Sequence, residues 1–170
     1  EVWGEGGGLR GEVLMLVVMQ LWSCMMYFYI PGIQTYLVNG FANKGRVLLW
    51  FTIVDKCVGV MGRFAASKSK KHMQWFSAKA CCSLQTAAFV SLFFLGWPML
   101  LSSLGLILSI ALHSVLYSYT NTLLYLDNVR RSKCKTRAKE ISQWLGIAQQ
   151  CGASLGIGIA FTQTVCGLFG

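Results

Sequence analysis

Asp55 and Lys56 stand side by side in the stretch Val47 to Ala66, whose only other charge is Arg63. A charge at the centre of a membrane helix costs about 2.5–3.5 kcal/mol on insertion scales, so such residues face a bundle interior or a watery cavity. Asp55, Gly59 and Arg63 recur at i, i+4 and i+8 and read as one helix stripe. Two roles stay open for Asp55: an ion pair that holds helices together, or a pathway group that carries a coupling proton. Lys56 is expected to point about 100° away around the helix. Arg63 lies about 12 Å further along, at a rise of about 1.5 Å per residue. Asp55 is therefore expected to meet a cation from another helix, to face water, or to be protonated.

Other polar residues sit in similarly greasy surroundings. "YIPGIQTYLVNG", Tyr29 to Gly40, puts Gln34 and Tyr36 just after Pro31. An amide and an aromatic ring beside a proline-loosened helix suit a flat heteroaromatic ligand. The same residues suit an ordinary outer helix end with Tyr36 in the aromatic belt. His113 lies in the uncharged run Pro98 to Leu126, and neutral imidazole fits either a structural hydrogen bond or a proton relay. Tyr119 and Asn121, in the last third of that run, are candidates for lining a cavity. "GIAQQCGASLGIGIAF", Gly146 to Phe161, carries Gln149 and Gln150, amides that need a helix or a solute as partner. Gly152 and Gly156 follow at the four-residue spacing that lets helices approach closely.

Several chemistries are missing from the chain. There is no nucleophile–base pair, phosphate loop or paired CxxC array. The expectation is no enzymatic activity, no cofactor and no metal. "GEGGGLRG", Gly4 to Gly11, follows no strand and reads as a flexible linker over residues 1–12. Six of the seven cysteines (Cys24, Cys57, Cys81, Cys82, Cys151 and Cys166) fall in apolar stretches and read as small buried fillers.

The elements that carry these residues follow from composition. The chain has 170 residues, 55% hydrophobic and 12% charged, with a mean hydropathy of +0.54. Soluble domains carry about 25% charged residues. The apolar residues fall in blocks near the roughly 20 residues that span a bilayer as a helix. Five spans are predicted, at 13–36, 47–66, 74–97, 98–126 and 141–169, making an all-α, multi-pass transmembrane bundle.

The net charge of +9 is not a nucleic-acid signal, because the basic residues cluster between spans. Lys68, Lys70 and Lys71 lie in one cluster; Arg130, Arg131, Lys133, Lys135, Arg137 and Lys139 lie in another. Positive residues collect in cytoplasmic loops. The loops at 67–73 and 128–140 are thus expected inside and the C-terminus outside, with the lipid bilayer as solvent. An odd number of spans with a cytoplasmic start reads as the second half of a longer protein whose N-terminal half supplies the opposing wall of a site.

Two patches carry a family resemblance. "IPGIQTY", Ile30 to Tyr36, resembles the Pro-x-x-Gln-Ser-Tyr stretch at the outer end of the seventh helix of the eukaryotic riboflavin transporters. "GIAQQCGASLG", Gly146 to Gly156, resembles that family's last helix, and Ser118–Tyr119 matches its tenth more loosely. The resemblance implies the last five helices of an eleven-helix, major-facilitator-like carrier of riboflavin in the plasma membrane. It implies substrate contacts at Gln34 and Gln150; Tyr36, Asp55, Tyr119 and Asn121 are further candidates from their positions in the apolar runs, Asp55–Lys56 being a departure from the family's pattern. The equilibrative nucleoside transporters are similar in layout. "DKCVGVMGR", Asp55 to Arg63, resembles their Asp followed by Gly-Arg at a different spacing, and implies a nucleoside as the alternative solute. A non-transporting membrane scaffold is the reading from another class.

Overall fold

The computed structural model describes residues 7–68, 74–95, 102–131 and 135–167. Among them are five helices: α1 Gly7–Leu37, α2 Lys44–Lys68, α3 Gln74–Leu95, α4 Ser103–Arg131 and α5 Lys135–Val165. Three are long and apolar enough to cross a membrane: α1 over Gly11–Leu37, α4 over Ser103–Val129, and α5. Among the described residues the fold is all-helical, with three helices that could cross a membrane. α2, one of the five expected spans, is interrupted by Asp55, Lys56 and Arg63 and does not reach that apolarity over its described length.

Packing follows narrow stripes. α2 buries Val47, Phe51, Asp55, Gly59, Gly62 and Ala66, steps of three and four that keep one face on a neighbour. α5 buries Ile141, Leu145, Ala148, Gly152, Gly156 and Ala160 in the same manner. α2 lies along α4, α5 lies along α1, and α3 packs on α4. The remaining faces of α2 and α5 expose large apolar side chains, including Trp50, Val60, Met61 and Phe64 on one and Trp144, Leu155, Ile157 and Phe161 on the other. Surfaces this apolar suit lipid and are rare on soluble monomers.

The α1–α5 contact is backbone against backbone. A Cβ at Gly152 would run into the Leu21 carbonyl, and one at Gly156 into the Met25 carbonyl. On the other side of the seam, a Cβ at Gly32 would lie 2.5 Å from the Ala160 Cβ. Polar pins join the helices elsewhere. Ser23 Oγ donates to Gln85 Oε1 at 2.6 Å while Gln85 Nε2 donates to the Ser23 carbonyl at 3.0 Å, tying α1 to α3. Trp22 Nε1 donates to Thr86 Oγ1 at 3.0 Å beside them. Asn128 Nδ2 donates to the Ala138 carbonyl and to Ser142 Oγ, each at 2.9 Å, tying α4 to α5.

Several boundaries differ from the sequence reading. α1 begins at Gly7, so the second half of the expected glycine linker is helical; propagating a helix adds one hydrogen bond per residue fixed. α1 also runs through Pro31 without stopping. Pro31 has no N–H, which removes the donor that would normally satisfy the Tyr27 carbonyl one turn earlier. α4 continues to Arg131 and α5 starts at Lys135, so most of the expected loop 128–140 is helix. Lys and Arg are good helix formers, and the disappearance of apolar residues marks the edge of the membrane, not the end of the helix. Residues 69–73 and 96–101, which include most of the other basic loop and the expected start of the fourth span, lie outside the described residues. Cys24 and Cys82 are buried, whereas Cys57, Cys151 and Cys166 are exposed. On helices with a single packed stripe, most positions face outward.

Candidate functional site

A cavity of about 160 Å³ opens where α1, α2 and α4 meet. α1 contributes Tyr27, Ile30, Pro31 and Gln34, α2 contributes Phe51, Thr52, Asp55 and Lys56, and α4 contributes Ile110 and His113. On each helix these positions recur at three- and four-residue steps, so each wall is one helix face. An apolar cluster of Ile30, Val38, Val47, Phe51, Leu106 and Ile110 closes it on one side.

The polar side of the cavity is built around Asp55. Lys56 Nζ lies 2.7 Å from Asp55 Oδ2. The Tyr27 hydroxyl lies 3.2 and 3.1 Å from the two carboxylate oxygens and accepts from Lys56 Nζ at 3.5 Å. Ser114 Oγ donates to the Asp55 main-chain carbonyl at 2.8 Å, which fixes α2 against α4 at this level. The Tyr27 ring is itself positioned by stacking on Tyr117, with centroids 3.9 Å apart and planes 7° apart.

Asp55 thus meets the neighbouring cation on its own helix, a partner that the three expected alternatives (a cation from another helix, water or protonation) left out. The 100° between neighbouring Cβ directions is real, but the four-carbon lysine stem is flexible enough to swing back across it. The Asp55 side chain is 12% exposed and the Lys56 side chain 68% exposed, so the cation reaches in from the rim. Arg63 does not share the Asp55 stripe: Gly59 and Gly62 are buried and Arg63 is exposed. Eight residues overshoot two turns by about 80°, at 3.6 residues per turn.

His113 is 1% exposed. Its ring lies nearly parallel to Tyr27, centroids 6.2 Å apart, and tilted against Phe89 at 6.1 Å. Neither ring nitrogen has a hydrogen-bond partner among the described residues.

The other sequence candidates are distributed around this centre. Gln34 and Asp55 share the cavity wall. Tyr36, two residues past Gln34, is half-buried and is not part of the lining. Asn121 accepts a hydrogen bond from Gln20 Nε2 at 2.8 Å, joining α4 to α1. Tyr119 is half-buried against an apolar cluster that includes Leu16, Leu123 and Leu145. Gln150 is exposed on α5, while its neighbour Gln149 accepts from the Tyr125 hydroxyl at 3.4 Å. Gly152 and Gly156 sit in the α1–α5 seam described above.

Sequence reasoning passed over Tyr27 and did not connect Lys56 and His113 with the cavity. The signal for Tyr27 was its place four residues before Pro31 and seven before Gln34, on the same helix face. No family model, curated protein or solved structure matches this chain.

Proposed function

We propose that this chain forms one wall of the solute site of a multi-pass membrane carrier for a small heteroaromatic solute. One observation carries the reading. A ring-sized cavity, walled by an amide, an ion pair and an imidazole, lies inside a bundle whose outer faces are apolar. Polar residues at such a depth are expensive and mark solute or ion pathways, and pathways of this type lie at helix interfaces where one part of a carrier faces another.

Riboflavin is the solute suggested by the resemblance at Ile30–Tyr36 and Gly146–Gly156. The cavity matches the base of the nucleoside alternative in size, though not the whole nucleoside. An apolar cavity of about 150 Å³ takes one benzene ring, and this one, at about 160 Å³, is the size for a single ring. The ribose of a nucleoside, and still more the three-ring isoalloxazine, would need additional space from the rest of the carrier. The test is uptake of labelled uridine against labelled riboflavin by cells expressing the full-length protein. Saturable uridine uptake supports the nucleoside form, and saturable riboflavin uptake supports the flavin form. Absence of both, at normal surface level, refutes the carrier.

The proposed orientation puts the basic segments on the cytoplasmic side of the plasma membrane and the C-terminus outside. With the native cysteines replaced, Ser69→Cys and Ser132→Cys should resist an impermeant thiol reagent applied to intact cells and react after permeabilisation. Reaction in intact cells would reverse the topology.

A further inference from the structure

We propose that His113 is a solute-binding residue, offering the edge of its imidazole to an uncharged ring held in the cavity between α1, α2 and α4. The inference rests on the carrier reading and assigns it a contact. Buried polar groups are nearly always hydrogen-bonded. His113 is 1% exposed and lines the cavity, yet Nδ1 and Nε2 both lack a partner among the described residues. Neutral imidazole has one N–H donor and one acceptor, so two hydrogen bonds remain to be made. Tyr27 and Phe89 flank the ring, with centroids 6.2 and 6.1 Å away. What remains unsatisfied is the edge, whose two nitrogens are buried beside the cavity.

Charge narrows the solute. The carboxylate and the ammonium in the wall neutralise each other across 2.7 Å. An anion or a cation entering the cavity would find its counter-charge already engaged, and would have to break that pair. An uncharged solute has no such requirement. Gln34, on the same wall, adds an amide with donors and an acceptor of its own. The site thus fits a neutral, single-ring heterocycle with hydrogen-bonding groups on its edge. Benzene-like rings of equal size would fill the space but leave His113 unsatisfied.

The full-length protein, with ring-15N histidine, can be studied in lipid nanodiscs by NMR. His113 is assigned through its loss in His113→Gln. Uracil is the probe, riboflavin the larger comparison and benzene the apolar control. Uracil should move the His113 ring resonances and benzene should not. His113→Leu should weaken uracil binding about tenfold, the scale of one buried hydrogen-bonding group left unpaired. His113→Gln, which keeps a donor and an acceptor, should lose less. Resonances unmoved by both uracil and riboflavin, or a His113→Leu protein that binds as tightly as wild type, would overturn the assignment and leave water as the partner. Uptake of labelled uridine and riboflavin, measured in parallel, separates the two claims. Uptake with a silent His113 removes this inference and keeps the carrier. A responsive His113 without uptake keeps the inference and removes the carrier. Neither response removes both.

Discussion

Gly156→Val should pull α5 away from α1 and lower the stability of the bundle by about 3 kcal/mol, the upper part of the range for overpacking a close-fitted contact. A side chain at this position meets backbone: the Met25 carbonyl, and the Tyr29 nitrogen at 2.9 Å. Backbone cannot rotate out of the way as a flexible side chain can, so the helices must separate. Separation removes contacts along the whole seam, because Gly152 rests on the Leu21 carbonyl and Gly32 on Ala160. Even Gly156→Ala should destabilise, although alanine is the better helix former by about 1 kcal/mol. Gly158 is the internal control. It lies two residues along the same helix with nothing within 4 Å of its would-be Cβ, so Gly158→Ala should be neutral or slightly stabilising. Thermal unfolding of the three variants in one detergent checks the order. Gly156→Val melting with wild type would show that the seam is looser than its geometry indicates.

The second large effect is an asymmetry between the two members of the ion pair. Asp55→Asn leaves Lys56 without its partner, but that side chain is 68% exposed and is held from the rim. The variant should reach the membrane at near-normal level. Solute uptake should nevertheless fall about tenfold to a hundredfold, because hydrogen bonds to a charged group are worth about 1.5–3 kcal/mol and the Tyr27 and Lys56 contacts all converge on the carboxylate. Lys56→Gln is the reverse case. It leaves a carboxylate that is 12% exposed facing only the Tyr27 hydroxyl, and stranding a buried charge costs about 3–5 kcal/mol. Its yield should drop, and adding Asp55→Asn should restore it. Surface biotinylation together with uptake reads both halves. Equal yields for the two single variants would mean that the carboxylate is better solvated than its burial implies.

The residues explain which parts of this architecture the sequence made legible. Helical class and membrane character were readable because uncharged apolar runs of this length have few other uses in a folded chain. Gln34 and Asp55 were singled out because amides and carboxylates are conspicuous in such runs, and they share the cavity wall. Tyr27 was not, since a tyrosine among Met26, Phe28 and Tyr29 looks like any other aromatic filler. Its role depends on stacking against Tyr117, a residue 90 positions later in the chain. Lys56 was dismissed on its Cβ direction alone, which describes short side chains well and long flexible ones poorly. Helix ends were misjudged at Gly7, Arg131 and Lys135 because the pattern reports where apolar residues stop. The hydrogen-bonded backbone continues past that point.

The pins between α1 and its neighbours are unevenly placed. Gln20 to Asn121 and Ser23 to Gln85 fasten α1 to α4 and α3 near its middle. At Tyr27, α1 keeps one polar clasp on Asp55 of α2, and beyond it, around Ile30, α1 meets α2 and α4 through aliphatic contacts. Hydrogen bonds fix a direction, whereas apolar contacts are non-directional and tolerate sliding. Two leaves, α1 with α5 and α2 with α4, are therefore joined like a book bound along one edge. A small tilt about the Gln20–Ser23 spine loads the Tyr27–Asp55 clasp first, and parts the pages at Gln34 once that clasp gives. The cavity is the space between those pages, and its mouth widens in proportion to its distance from the binding.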